Sequence, residues 1–143
     1  MSKNVTIFYA DDDHDDLDFF KDAVGELGKG VEVITHDRGD KLLYALQNPP
    51  PSPQIIFLDL NMPGKTGFDV LQELKSNEEL KEIPVVIFST SNDDQSVAKS
   101  MKMGANFYVS KSTCFDTFKR SIEFALSINW KTFTPSLSNF IYR

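Results

Sequence analysis

The sequence predicts an α/β fold, in which a doubly wound parallel sheet of five strands is covered by five helices. Short runs rich in β-branched and aromatic residues alternate along the chain with segments whose apolar residues recur at helical spacing. Three of these runs are apolar throughout, which is typical of parallel strands that are buried on both faces.

Each element can be placed in order from its own residues. The predicted strands are the runs at 4–10, 31–35, 54–58, 84–88 and 106–110. The helices are marked by apolar residues on one face, which are Leu17, Phe20, Val24 and Leu27, then Leu42, Leu43 and Leu46, then Val70, Leu71 and Leu74, then Val97, Ala98 and Met101, and finally Phe115, Phe118, Ile122 and Ala125. Gly28 and Gly104 predict the ends of the first and fourth helices.

Length and composition limit the class of protein. With 143 residues and 41% hydrophobic residues, we expect one folded domain at 1–130, followed by a tail at 131–143 and no separate effector domain. The net charge of −6 argues against nucleic acid as a direct partner, because phosphate binding requires Lys and Arg. The single Cys114, the lack of a signal-peptide region and the lack of a long apolar run predict a cytoplasmic protein that does not associate with membranes.

Acidic residues are concentrated after the first predicted strand, where residues 11–22 hold seven of the 21 Asp and Glu residues. Ligands of open α/β sheets bind beyond the carboxyl ends of the strands, so the residues that follow each run matter. The first run is followed by Asp11, Asp12 and Asp13, and the third run by Asp59. The fourth run is followed by Ser89 and the fifth by Lys111. The second run delivers no such residue and is expected to be an edge strand.

Carboxylates from two strands cannot remain ionised side by side without a cation. Because the candidate ligands are oxygen atoms, with no Cys or His pattern, they favour Mg²⁺. A calcium loop of the EF-hand type fits poorly, since its sixth and twelfth positions would be Asp16 and Asp22 rather than Gly and Glu. A phosphatase of the haloacid dehalogenase type fits poorly as well, since Asp15 stands where that family has Thr or Val and there is no cap domain.

Four segments resemble the receiver domain of bacterial response regulators. They are "DDD" at 11–13, "LDLNMPGKTG" at 58–67, "FSTS" at 88–91 and "YVSK" at 108–111. The resemblance covers residues 4–127 and implies a flavodoxin-like sheet with the strand order 2-1-3-4-5. It also implies a stand-alone regulator of the chemotaxis-regulator kind, which is a phospho-accepting signalling domain rather than an enzyme in the usual sense.

The resemblance assigns the metal and acceptor positions. Asp59 matches the phospho-accepting aspartate and is also a metal ligand. Asp12 matches a direct Mg²⁺ ligand, and Asp11 matches a residue that acts on the metal through water. Asn61 is expected to offer its backbone carbonyl to the same ion.

The resemblance also assigns the residues that sense the phosphoryl group. Lys111 matches the lysine that pairs with the acyl phosphate, Ser89 matches the switch hydroxyl, and Tyr108 matches the aromatic residue whose position reports the switch. One position departs from the family, because Ser112 stands where proline usually follows the lysine. We expect a trans Lys111–Ser112 bond, since a cis bond before a residue other than proline costs about 3–4 kcal/mol.

The implied function is that of a single-domain response regulator. A sensor histidine kinase or a phosphotransfer protein would donate the phosphoryl group to Asp59 in a reaction that requires Mg²⁺, and the domain would catalyse its own phosphorylation and dephosphorylation. Output would be protein–protein contact with an unidentified partner, through the fourth helix, fifth strand and fifth helix, with a homodimer as a further option. The alternative is a receiver-like interaction module that works without phosphorylation, which the departure at Ser112 keeps open.

The tail exceeds what a minimal receiver needs. The large apolar residues of the segment 128–143, which includes the tail, are Trp130, Phe133, Phe140, Ile141 and Tyr142. Pro135 argues against continuation of the fifth helix beyond about residue 131. Because exposed aromatic residues are unfavourable on a monomer, we expect the tail to pack on its own domain, or else to dock a partner or a second copy of the chain.

Overall fold

Strands and helices alternate along the chain as the sequence predicts. The computed structural model describes residues 5–28, 30–49, 52–136 and 138–142, so the first residue of the run at 4–10 lies outside the described part. The strands are β1 (Val5–Ala10), β2 (Val31–His36), β3 (Ile55–Leu58), β4 (Val85–Ser89), β5 (Phe107–Ser110) and β6 (Ile141–Tyr142). The helices are α1 (His14–Leu27), α2 (Gly39–Gln47), α3 (Gly67–Ser76), α4 (Asp94–Lys102) and α5 (Phe115–Ser127).

The strands form one sheet in the order β2-β1-β3-β4-β5-β6, and neighbouring strands are parallel. The predicted order 2-1-3-4-5 is confirmed, and β2 is an edge strand as expected. The prediction of five strands is one short, because the tail adds β6 beside β5. A strand of two residues is too short to show an alternating pattern, and Pro135 and the serines around it indicate only a loop.

Helices cover both faces of the sheet, so the predicted doubly wound arrangement is confirmed. One face packs on apolar residues of α1 and α5, and the other packs on α2 and α3, with α4 at its margin. Because successive strand residues point to opposite faces, Ile7 and Tyr9 belong to the first cluster, whereas Phe8 and Ala10 belong to the second. Within the described residues, no helix is long and apolar enough to cross a membrane.

Side-chain caps fix the starts of α1, α3 and α4, which follow β1, β3 and β4. Asp13 caps α1 and accepts the N–H of Asp15 at 2.9 Å. Thr66 and Asp69 form a capping box at the start of α3, and Asp93 caps α4. Each cap satisfies N–H groups that have no partner within the helix, so the loops at the carboxyl edge of the sheet are held at defined positions.

Gly67, the first residue of α3, lies against the backbone that follows β3. Its N–H donates to the carbonyl of Leu60 at 2.9 Å. A β-carbon at residue 67 would lie 2.3 Å from the carbonyl oxygen of Asp59 and 2.6 Å from the Cα of Leu60. The absence of a side chain therefore allows α3 to begin directly beside the backbone of Asp59.

The tail folds back along the outer edge of β5, which is the first of its two predicted interpretations. The N–H of Tyr108 donates to the carbonyl of Phe140 at 2.9 Å, and Ile141 pairs with Tyr108 in the parallel ladder. Phe140 is 2% exposed, and the rings of Trp130 and Phe133 pack on each other and on β5. Residues 137 and 143 of the tail lie outside the described part, and the predicted boundary at residue 130 stays a prediction.

Replacing Gly67 by Ala should destabilise the protein, because the new methyl group must displace the backbone of Asp59 or Leu60. The expected loss in the free energy of unfolding is about 1–3 kcal/mol or more. Gly25 is the matched control, since it lies on the exposed side of α1 and a β-carbon there meets nothing within 4 Å. Gly25→Ala should instead stabilise by about 0.5–1 kcal/mol. Urea unfolding of both variants measures the difference, and equal effects would contradict the close approach at Gly67.

Candidate functional site

Polar residues meet at the carboxyl edge of the sheet, where β1 and β3 diverge to helices on opposite faces. Asp11 follows β1, and Asp59 follows β3 with its N–H bonded to the carbonyl of Ala10 at 3.0 Å. Ser89 ends β4, and its carbonyl accepts the N–H of Lys111 at 2.8 Å. Backbone hydrogen bonds between neighbouring strands therefore bring these four residues to one crevice, at the switch point of the strand order.

Asp11 is fully buried and has protein partners for both carboxylate oxygens. Its Oδ1 accepts the N–H of Asp13 at 3.0 Å. Its Oδ2 accepts the hydroxyl of Tyr9 and the ammonium of Lys111. Burial and the neighbouring Asp11 carboxylate raise the pKa of Tyr9 far above its ordinary value, so this hydroxyl remains a hydrogen-bond donor.

Asp59 has a nearly buried side chain that is 8% exposed. Burial raises the pKa of Asp59 to about 7, with the Lys111 ammonium opposing the rise and the Asp11 carboxylate adding to it. In the absence of a further cation, the ionised form of Asp59 is therefore disfavoured. A cation bound at this position would restore the carboxylate and make it available to react.

Lys111 binds three carboxylates with a side chain that is 5% exposed. Its Nζ lies 2.5 Å from Asp11 Oδ2, 2.9 Å from Asp16 Oδ2 and 3.6 Å from Asp59 Oδ2. Although burial lowers it, the carboxylates of Asp59 and Asp11 raise the pKa of Lys111 above its ordinary value. The ammonium is therefore a fixed positive charge, closer to Asp11 and Asp16 than to Asp59.

Three carboxylates converge beside this ammonium. One oxygen of each of Asp11, Asp12 and Asp59 lies within 4.8 Å of the others, with Asp12 exposed and the other two buried. Hard oxygen ligands at this spacing fit Mg²⁺ or Mn²⁺. The single ammonium of Lys111 cannot offset three negative charges, so the residues present fit a divalent cation.

Ser91 connects the loop after β3, the end of β4 and the middle of β5. Its Oγ accepts the side-chain amide of Asn61 at 3.1 Å, and its N–H donates to the Ser89 hydroxyl at 3.2 Å. Its carbonyl accepts the hydroxyl of Tyr108. Tyr108 is fully buried, and burial raises its pKa to about 12. The two predicted switch residues, Ser89 and Tyr108, are thus joined through one residue of the loop between β4 and α4.

The structure brings the sequence-predicted site residues to one edge of the sheet. They are Asp11, Asp12, Asp59, Asn61, Ser89, Tyr108 and Lys111. Two further residues of the site were not predicted. Tyr9 was placed only within the strand run, and Asp16 was weighed as the sixth position of a calcium loop.

Comparison with known proteins identifies the kind of domain. The profile of the response regulator receiver domain family matches residues 7–123, and the chain belongs to this family. Receiver domains of two-component systems are signalling domains that bind Mg²⁺ or Mn²⁺ at a cluster of aspartates and interact with histidine kinases or phosphotransfer proteins. The group of Asp11, Asp12 and Asp59 described above is a cluster of this kind.

Particular relatives include the response regulator Rcp1 of Synechocystis sp., which is 47% identical over 62 residues. The aligned stretch covers 43% of this chain and 42% of that relative's own length. A crystal structure of Mn²⁺-bound Rcp1 covers 92% of this chain and 99% of its own, with a TM-score of 0.78 and 29% identity. The phosphorylated cyanobacterial phytochrome response regulator RcpA covers 92% of this chain and 97% of its own, with a TM-score of 0.79 and 29% identity.

Asp59→Asn should stabilise the protein at pH 8 when no divalent cation is present. The pKa of Asp59 is about 7 in the folded chain, against 3.8 for an ordinary aspartate. Between these two pH values the unfolded chain loses this proton while the folded chain keeps it, so the free energy of unfolding falls as the pH rises. The neutral amide removes this effect, and we expect a gain on the order of 2 kcal/mol at pH 8 that shrinks at pH 5. Urea unfolding at several pH values measures the gain.

The matched control is Asp22→Asn, which removes a charge from an exposed position of α1. It reports the effect of net charge alone. If Asp59→Asn changes stability by the same amount at every pH, the inferred shift of the Asp59 pKa is wrong.

Proposed function

We propose that this chain accepts a phosphoryl group on Asp59 from a sensor histidine kinase or a phosphotransfer protein and signals by contact with another protein. The observation that carries the proposal is the position of Asp59, a nearly buried carboxylate that lies 3.6 Å from the Lys111 ammonium and within 4.8 Å of carboxylate oxygens of Asp11 and Asp12. A nucleophile held beside preorganised positive charge is what phosphoryl transfer requires.

The residues that would hold Mg²⁺ are Asp12 and Asp59 directly, Asp11 through water and Asn61 through its backbone carbonyl. When bound, the ion would offset the negative charge of the carboxylate and of the incoming phosphoryl group. Asp11 would contribute in a second way, because its bond to Lys111 holds the ammonium 3.6 Å from the Asp59 carboxylate. The likeness to Mn²⁺-bound Rcp1 supports a divalent cation at this place.

In the transfer, a carboxylate oxygen of Asp59 forms a bond to phosphorus as the bond to the donor nitrogen breaks. Lys111 would offset the charge of the phosphoryl oxygens. A cavity of about 480 Å³ lies beside it, lined by residues of α1 and of the loop after β5. This opening gives the donor a route to the acceptor from the side of Lys111.

The phosphoryl group would then act on the switch residues. Ser89 would donate its hydroxyl to a phosphoryl oxygen, which would alter the contacts of Ser91 and hence the position of Tyr108. Shifting the ratio of the active to the inactive conformation from 1:99 to 99:1 needs about 5.5 kcal/mol of difference in interaction free energy between the two conformations. One hydrogen bond to a charged group supplies about 1.5–3 kcal/mol, so Lys111 and the metal site must contribute as well.

The output surface would be the face of α4, β5 and α5, since Tyr108 of β5 connects it to the crevice. The likeness to phosphorylated RcpA supports a phosphorylation-dependent output. The alternative function is an interaction module that works without phosphorylation, which the replacement of the family's proline by Ser112 keeps open.

Incubation with a small acyl phosphate and Mg²⁺ should add the mass of one phosphoryl group to the intact protein. The gain should be absent in Asp59→Asn and after chelation of the metal, because the acceptor carboxylate and its counter-charge are then missing. Intact-mass spectrometry measures the product. A gain that survives Asp59→Asn would place the acceptor elsewhere, and no gain in wild type would favour the phosphorylation-independent module.

Asp12→Ala should weaken Mg²⁺ binding at least tenfold, because it removes the exposed carboxylate of the cluster and leaves the buried pair bonded to Lys111. Titration calorimetry with Mg²⁺ measures the affinity. Asp22→Ala, which removes an exposed carboxylate of α1 outside the cluster, is the control for net charge. Unchanged affinity in Asp12→Ala would exclude the metal site as described.

A further inference from the structure

The outer edge of β5 is a binding surface for extended chain, and the structure shows one occupant. An edge strand of a sheet presents N–H and carbonyl groups to any segment that runs alongside it. Here the N–H of Tyr108 bonds the carbonyl of Phe140 at 2.9 Å, and β6 pairs with β5 through two residues, Ile141 and Tyr142. The tail thus occupies the strand in the middle of the proposed output face.

Side chains of the tail show which chemistry this edge accepts. Phe140 is 2% exposed and packs in the same core cluster as Tyr108, with the two ring centroids 6.4 Å apart. The ring of Tyr142 lies 5.0 Å from that of Phe124 on α5, and Phe124 is still 46% exposed. The edge therefore takes an aromatic residue in a buried pocket and a second aromatic residue, two positions later, in a shallow one.

The attachment of the tail is limited in extent. The ladder between β5 and β6 has two residue pairs, Tyr108 with Ile141 and Val109 with Tyr142. Ile141 and Tyr142 are both partly exposed, so Phe140 is the main buried contact of the strand. A short edge strand held by one buried side chain can detach without unfolding of the central sheet.

The same edge is linked to the crevice. Tyr108 bonds Phe140 with its N–H and Ser91 with its hydroxyl, and Ser91 bonds Ser89. A change in the position of Tyr108 therefore alters the pocket that holds Phe140. Because coupling between two sites is reciprocal, a partner residue that takes the place of Phe140 also shifts the preferred position of the Tyr108 side chain.

We propose that the β5 edge is a docking site for an extended segment of a partner protein that carries an aromatic, an apolar and an aromatic residue in sequence, and that residues 138–142 of the tail occupy it until the partner displaces them. The partner would add a parallel strand and insert its first aromatic residue beside Tyr108. The control by Tyr108 rests on the proposed phosphorylation of Asp59, whereas the docking site itself does not.

The experiment uses a labelled peptide of residues 134–143 as the probe and full-length chains as receptors. In Phe140→Ala the tail should detach, and the probe should bind this variant at least tenfold more tightly than wild type, in which the tethered tail competes at high effective concentration. A probe with Ala in place of Phe140 should bind neither chain. Tyr44→Ala, which truncates an aromatic residue of α2 that is 69% exposed, should behave as wild type. Fluorescence anisotropy measures binding.

Two results of this binding experiment would overturn the proposal. One is a folded Phe140→Ala chain that does not bind the probe. The other is a concentration-dependent dimer in wild type that Phe140→Ala lacks, since the occupant would then be the tail of a second copy. Phosphorylation should change the affinity of wild type for the probe but not that of Asp59→Asn. If the probe binds Phe140→Ala without any such change, the docking site stands and the proposed coupling fails.

Hydrogen exchange of wild type tests the site without a variant. The Tyr108 amide, which bonds Phe140, should exchange at least tenfold faster than the amides of β3, because the tail opens locally. Equal protection of Tyr108 and β3 would mean that the tail detaches only on global unfolding. It would overturn the proposal that a partner segment displaces the tail from β5.

Discussion

Two buried carboxylates, Asp11 and Asp59, share the ammonium group of Lys111, and the layout of the crevice depends on that shared charge. Each carboxylate would be costly to ionise in this environment without a partner. A single ammonium is held more closely by Asp11 and Asp16 than by Asp59. Asp59 is therefore the less compensated of the two buried carboxylates, and an added cation is most favourable beside it.

The backbone supplies the precision that this arrangement needs. Asp59 is fixed by its bond to β1 and by the absence of a side chain at Gly67, and Lys111 is fixed by its bond to β4. Ser91 lies in a loop instead, where it bonds both Ser89 and Tyr108. The Asp59 side of the crevice is thus built on strand ends, whereas the link to the outer face passes through the loop between β4 and α4.

The sequence predicted the features that depend on burial over several residues. Four of the five predicted runs identify the strands whose ends carry Asp11, Asp59, Ser89 and Lys111, because strands of a covered parallel sheet are mostly apolar along their length. β6 was not predicted, since its pairing is set by the open edge of β5 and not by a pattern of its own. The bond from Asp16 to Lys111 was missed because a carboxylate in a first helical turn already has a local explanation in the helix dipole.

Asp11 and Lys111 are 100 residues apart in sequence, and this separation governs when the crevice exists during synthesis. A nascent chain that has released β1 but not β5 carries the acidic cluster in solvent, without its ammonium. Non-local pairings of this kind form only after most of the chain is available. The charge environment of Asp59 is thus a property of the finished sheet, and it is incomplete in a chain that has not yet reached β5.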